Sequence, residues 1–254
     1  MSRFANSFRI GSRQVGTGEP CFVIAEAGVS HFGSLKKAFR LVDMAATAGA
    51  DAVKFQIFDA EAMIAGVSRD WRERMRSRQL PYEDFRRIRD YCNARGIMFM
   101  ATAHDEPSLE YLMTLDVPAY KVGSGELKNW NFLRKTASLG KPLIFSTGMY
   151  TEADIAAALD AVAGTSNWEV AVLHCVTQYP TPPEEVNLKA MLSIKDRFSV
   201  VAGYSDHTVG RHIPLAAVAL GAQILEKHIT LEFNIPNAQD WKVSCGPEDL
   251  PLLI

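Results

Sequence analysis

Short stretches of this chain end in residues able to do polar chemistry: Lys54 in VKFQ, Lys121 and Ser124 in YKVGSGE, Ser146 in FSTGM, Ser205 with His207 in YSDHT, and His228 in EKHIT. Two lysines and three hydroxyls brought together would cradle a small dianion such as a phosphate ester, because ammonium groups and hydroxyls both donate to its oxygens. Two imidazoles, His207 and His228, can hold a divalent metal and leave positions open for substrate oxygens. Glu26, in FVIAEAG, is the best candidate acid or base. Plainer roles compete. A buried lysine often only balances an acid, here Glu26 or Glu126, and a lone histidine is usually a core or supporting residue. His174, with Cys175 and Val176 continuing its strand, fits that supporting role. His31, in GVSHFG, is open between lining a site and packing. His207 and His228 stand apart because they come as a pair on consecutive segments.

Placing these residues together requires elements that end at one face. The chain repeats a unit: a short apolar strand ending in polar residues, a helix, a glycine, and the next strand. The strand segments are FVIAEAG (22–28), AVKFQIF (52–58), IMFMATAH (97–104), AYKVGSG (119–125), PLIFSTG (142–148), VAVLHCV (170–176), VVAGYSDH (200–207) and QILEKHIT (223–230). Eight strands alternating with helices predict a (β/α)8 TIM barrel, whose strands all open their carboxyl ends onto one mouth. His207 and His228 would then be neighbours there. FRIGSRQV (8–15) reads as an N-terminal hairpin, within 1–20, that caps the opposite end of the barrel. Leu35 to Ala48, opened by Ser34 and closed by Gly49, is an amphipathic helix. Thr151-Glu152-Ala153-Asp154 opens another helix, and Pro81 suits the first turn of a third.

Two regions depart from the repeat. Asp59 to Leu80 is a long insertion carrying Arg69, Arg72, Arg74, Arg76 and Arg78. A solvated face is the expected role for such a run, and a lid over an anionic substrate is the alternative. PEDLPLLI (247–254) reads as a truncated last helix, so the native chain is expected to continue and the exposed strand surface favours a homo-oligomer.

With 254 residues and 48% apolar content, the chain matches one barrel domain spanning 1–254. A net charge of -2 gives no electrostatic case for nucleic acid or an anionic membrane. No apolar run marks a signal peptide or a membrane span, so a cytoplasmic protein is expected. Cys21, Cys92, Cys175 and Cys245 lack CxxC spacing and read as reduced thiols.

These motifs resemble the sialic acid synthase (N-acetylneuraminate synthase) family. The resemblance is carried by FVIAEAGVSHFG with the helix and VKFQIF that follow, by YKVGSGELKNW with PLIFSTGM, and by HCVTQYPTP, GYSDHTVG and EKHIT. It implies a (β/α)8 barrel condensing phosphoenolpyruvate with an N-acylated amino sugar, usually N-acetylmannosamine, to a nonulosonic acid and phosphate. It also implies a divalent metal, manganese or magnesium, on His207 and His228. Lys54, Lys121, Ser124, Ser146 and Ser205 would hold phosphoenolpyruvate, with Thr102 and Thr177 lining its pocket. Glu26, Gln56, Glu126, Tyr179 and Asp240 would face the sugar, Glu26 and Glu126 as the catalytic acids. A different acceptor, such as a legionaminic or pseudaminic acid precursor or a plain aldose phosphate, or a catalytically silent sugar- or phosphoenolpyruvate-binding barrel, are the alternatives. Three departures stand out. Ser30 and Phe32 replace two amides of the family's GVNHNG. PNAQDW (236–241), one residue longer and with Trp241 for its histidine, replaces its PGPDH. The antifreeze-like domain that many members carry after the barrel does not appear in this sequence.

Overall fold

Side chains two apart on a strand share a face, so the alternation within the eight segments decides what the barrel encloses. A computed structural model describes residues 3–254; Met1 and Ser2, part of the N-terminal stretch read above, lie outside the described residues. β1 (Ser7–Ile10) and β2 (Arg13–Gly16) form the antiparallel hairpin. β3 (Phe22–Gly28), β4 (Ala52–Ile57), β5 (Met98–Ala103), β6 (Tyr120–Val122), β7 (Leu143–Ser146), β8 (Val170–Cys175), β9 (Val201–Asp206) and β10 (Ile224–His228) are parallel, and β10 pairs with β3 to close the barrel. Each strand lies inside its expected segment. The helices are α1 (Leu35–Ala48), α2 (Ala60–Met63), α3 (Arg69–Arg76), α4 (Tyr82–Ala94), α5 (Glu106–Met113), α6 (Trp130–Ala137), α7 (Glu152–Ala163), α8 (Lys189–Phe198), α9 (His212–Ala219) and α10 (Leu250–Leu253).

The barrel interior changes character along the strands. At their amino ends Phe22, Ile24, Ala52, Ala119, Ile144, Ala171, Val201 and Ile224 pack with Phe8, Ile10 and Val15 of the hairpin, which therefore plugs that end. Gly203 belongs to this packing: a Cβ there would stand 2.2 Å from the Ile224 carbonyl oxygen. Further along, each strand contributes at least one inward polar or thiol group: Glu26, Lys54, Thr102, Lys121, Ser146, Cys175, Ser205 and Glu226. The outward faces carry Phe55, Phe99, Phe145, Val172 and Tyr204, buried under the helices.

Local signals explain the helix ends. The Ser34 hydroxyl accepts from the Lys37 amide at 3.3 Å, and Gly49 closes α1 with a left-handed φ of 87°. Thr151 and Asp154 form a reciprocal capping box at α7. Pro81 precedes α4 as its N-cap rather than entering the first turn, with ψ at 144°. The short α10 buries Leu250 and Leu253. Among the described residues no helix is long and apolar enough to cross a membrane, and the four cysteines are unpaired.

Candidate active site

Register brings the inward polar groups into adjoining layers of the barrel. Glu26 stands opposite Lys54, Gln56 opposite Thr102, Thr102 opposite Lys121, and Glu226 opposite Ser205. The result is a cup of about 170 Å³ whose wall includes Glu26, Lys54, Gln56, Thr102, Lys121, Ser124, Ser146, Thr177, Tyr179, Ser205, His207 and His228. Twelve sequence candidates thus meet in one cavity.

Both lysines are almost entirely buried, and each is tied down. Lys54 Nζ lies 2.7 Å from Glu26 Oε2 and 3.5 Å from Glu226 Oε2, and donates to Thr102 Oγ1 at 2.9 Å. Lys121 Nζ lies 3.6 Å from Glu226 Oε1 and donates to Ser146 Oγ at 3.0 Å. Ser205 Oγ donates to Glu226 Oε1 at 2.9 Å. Gly148 brings its N–H within 2.8 Å of Ser124 Oγ, and a Cβ there would fall 2.2 Å from Thr177 Oγ1, so only glycine fits this wall. Burial pushes the Glu226 carboxyl up, but Lys121 and Lys54 outweigh it and hold the group ionised. Glu26 moves the other way, since burial dominates and Glu226 adds like charge, despite Lys54. Burial lowers Lys121, whereas for Lys54 the Glu226 and Glu26 carboxylates overcome burial and raise it.

His207 and His228 each sit two residues beyond a cup residue, Ser205 and Glu226, on the same face. Their ring centroids are 5.5 Å apart. His207 Nδ1 faces the Val176 carbonyl at 2.7 Å, which assigns its proton there, so Nε2 accepts from the Tyr179 hydroxyl at 2.7 Å. Burial and the adjoining His228 push His207 down to about 4, and burial also lowers His228. Both rings are therefore neutral near pH 7, the form that ligates a metal. Among the described residues the buried Nδ1 of His228 has no hydrogen-bond partner. Among the described residues no cluster of three or more histidine, cysteine or acidic side chains is set to hold a metal. The pair suits a cation that takes its remaining ligands from water and substrate, provided Tyr179 releases His207 Nε2.

A second cavity, of about 430 Å³, adjoins the cup and shares Gln56, Tyr179 and His228 with it. Asp240 lines it, at the start of a short 3-10 turn. A Cβ on Gly28 would meet Glu26 Oε1 at 3.4 Å, Gln56 Nε2 at 3.6 Å and Asp240 Oδ2 at 3.7 Å, so these three groups converge at the junction. The altered NAQDW segment thus keeps its acid at the site, while Trp241 Nε1 is held by the Ile235 carbonyl at 3.0 Å.

Some expectations change. Glu126 lines neither cavity: the 3-10 turn Ser124–Glu126 turns its carboxylate to the Asn129 amide, which donates to it at 2.7 Å. His31 is wholly buried, accepts from the Gly33 amide at 3.1 Å, and lines neither cavity. His174 meets the Val186 carbonyl at 2.7 Å, the supporting role expected of it. The lysines are balanced by Glu26 and Glu226, not Glu126. Glu226 is the residue that sequence reasoning missed, as is the half-buried His104 in the cup wall. The strand period carried the signal for Glu226, which lies two residues before His228. Lys227, the conspicuous charge beside it, points outward and pairs with Asp206.

The closed (β/α)8 barrel, with a lysine-and-hydroxyl cup and a histidine pair at its mouth, matches a family of sugar-acid synthases. The chain belongs to the NeuB family, whose model matches residues 41–254. It is 39% identical to N,N'-diacetyllegionaminic acid synthase of Legionella pneumophila, over 96% of this chain and 73% of that protein. It is 36% identical to the human N-acetylneuraminate-9-phosphate synthase, over 95% of this chain and 70% of that protein. A crystal structure of N-acetylneuraminic acid synthetase from Leptospira borgpetersenii in complex with citrate superposes with a TM-score of 0.93 at 32% identity, covering 98% of this chain and 87% of that one.

Proposed function

We propose that this chain condenses phosphoenolpyruvate with the open-chain aldehyde of an N-acylated amino sugar, giving a nonulosonic acid and phosphate. One observation carries the reading: two buried ammonium groups and the hydroxyls of Ser124, Ser146 and Ser205 surround a cup that opens beside His207 and His228. Phosphoenolpyruvate carries a carboxylate and a phosphate, and the ammonium groups and hydroxyls of the cup can donate hydrogen bonds to their oxygens. Lys54 and Lys121 hold these anions, Thr102 and Thr177 close the wall, and Glu226 fixes both ammonium groups in place.

The carbon–carbon bond forms between C3 of the enol and the aldehyde carbon. Water adds at C2, and phosphate leaves with its bridging oxygen. Glu26, a carboxyl raised by burial, holds the proton that must move when water adds or when the new hydroxyl forms. Gln56, Tyr179 and Asp240, at the junction of the two cavities, orient the acceptor. A manganese or magnesium ion held by His207 and His228 would supply polarisation of the acceptor carbonyl. Four unpaired cysteines fit a reducing, cytoplasmic setting.

The test is phosphate release from phosphoenolpyruvate with manganese present, across a panel of N-acetylmannosamine, a diacetamido hexose and aldose phosphates. Release only when an aldehyde sugar is added supports the reading. Sugar-independent release, or none with any acceptor, refutes it.

A further inference from the structure

The insertion between β4 and α4 carries five arginines, and the structure sorts them by helical phase. Arg72 and Arg76 both pair with Glu61, Arg72 at 3.0 Å, and Arg76 also meets Glu73. Arg69 lines neither cavity. Trp71, Arg74, Met75 and Arg78, spaced as one stripe of α3 and the turn after it, face the second cavity. Among the described residues neither Arg74 nor Arg78 has an ion-pair partner within 4.0 Å. Arg78 spends one N–H on the Asn237 carbonyl at 2.7 Å, and its guanidinium lies 5.3 Å from the centre of the Phe32 ring. Phe32, one of the departures from the family pattern, thus gives Arg78 an aromatic platform. Among the described residues Asp240 is the one acid lining this cavity, against two guanidinium groups. The balance favours an anion.

The cavity has a direction. Gln56, Tyr179 and His228 mark the end it shares with the cup, where the proposed reaction places the aldehyde, and Arg74 and Arg78 are among the groups lining the rest. We propose that Arg74 and Arg78 form an anion subsite selecting an acceptor sugar with a phosphate on the carbon chain away from its aldehyde. This deepens the synthase reading and rests on it for the position of the aldehyde. Guanidinium forks match phosphate oxygens two at a time, which suits them to such a terminal group.

The experiment compares kcat/KM for N-acetylmannosamine and its 6-phosphate in the wild-type protein, with manganese and saturating phosphoenolpyruvate. The expected preference for the phosphate is about tenfold or more, the size of one charge-assisted contact. R74Q/R78Q should collapse that ratio, R74K/R78K should keep part of it, and R72Q/R76Q, which alters the pairs with Glu61, should leave it unchanged. A wild-type preference for the neutral sugar overturns the proposal, and so does an R74Q/R78Q ratio equal to wild type. If neither sugar yields phosphate, the synthase reading fails separately, and calorimetry with the 6-phosphate then decides the subsite. Binding weakened about tenfold in folded R74Q/R78Q supports it, and unchanged or absent binding in the wild type and variant overturns it.

Discussion

The cup and the cavity beside it are built differently although they share Gln56, Tyr179 and His228. The cup is made mainly of strand residues held in register, and its four charged groups are buried and joined to one another. The second cavity is made mainly of the insertion and of the loop after β10, with two guanidinium groups that have no ion-pair partner within 4.0 Å among the described residues. A rigid, internally balanced site suits the substrate that every turnover shares, and a loop-built site can change with the acceptor without disturbing the barrel. The two halves should therefore respond differently to perturbation.

The sharpest contrast comes from Glu226→Gln. It removes the carboxylate held by both Lys54 and Lys121, and breaking a buried ion network in this way costs about 3–5 kcal/mol. Urea unfolding should show that loss, whereas Asp240→Asn, on the acceptor side, should shift stability by less than about 1 kcal/mol. Equal effects would erase the distinction.

A second contrast is in pH. Burial holds His31 and His104 down at about 4, and it also lowers His174. When the pH falls below the ordinary histidine range near 6.5, the unfolded chain takes up protons that the folded one refuses. The stability these groups contribute is present above pH 6.5 and is lost as the pH falls toward 4. Glu26, raised in the fold, works in the opposite sense as the pH climbs from the ordinary carboxyl range, but it is one group against these three and the likewise lowered His207 and His228. The urea midpoint should fall from pH 7 to pH 4.5, and a flat or rising midpoint would contradict the burial of these rings.

Much of the cup was legible because strand alternation is a strong signal. With Glu26, Lys54 and Lys121 inward, the same period points to Glu226, two residues before His228, while Lys227 between them faces outward and pairs with Asp206. Glu126 could not be placed by alternation, since the chain leaves β6 for a 3-10 turn before reaching it. The insertion was least legible of all. Arginines at 72, 74, 76 and 78 look alike in sequence, and only the phase of α3 and the position of Glu61 decide which are neutralised and which face a cavity. Phe32 was read as the loss of an amide, and its platform role depends on Arg78 arriving from another segment.

Smaller effects separate the two substrates. Lys121→Met should raise KM for phosphoenolpyruvate by about 10-fold to 100-fold, from the loss of a charged hydrogen-bonding group, with little change in the acceptor KM. Asp240→Asn should do the reverse, raising the acceptor KM by about tenfold. A variant that moved both constants together would merge the two regions into one.

The central claim is that one cup holds the enol phosphate while the adjoining imidazoles hold the cation. Crystals soaked with manganese and phosphoenolpyruvate test it most directly. The account predicts an anomalous manganese peak shared by His207 and His228, and a phosphate within hydrogen-bond reach of Lys54 or Lys121. A manganese peak away from both rings, or phosphoenolpyruvate bound outside the cup, would contradict it.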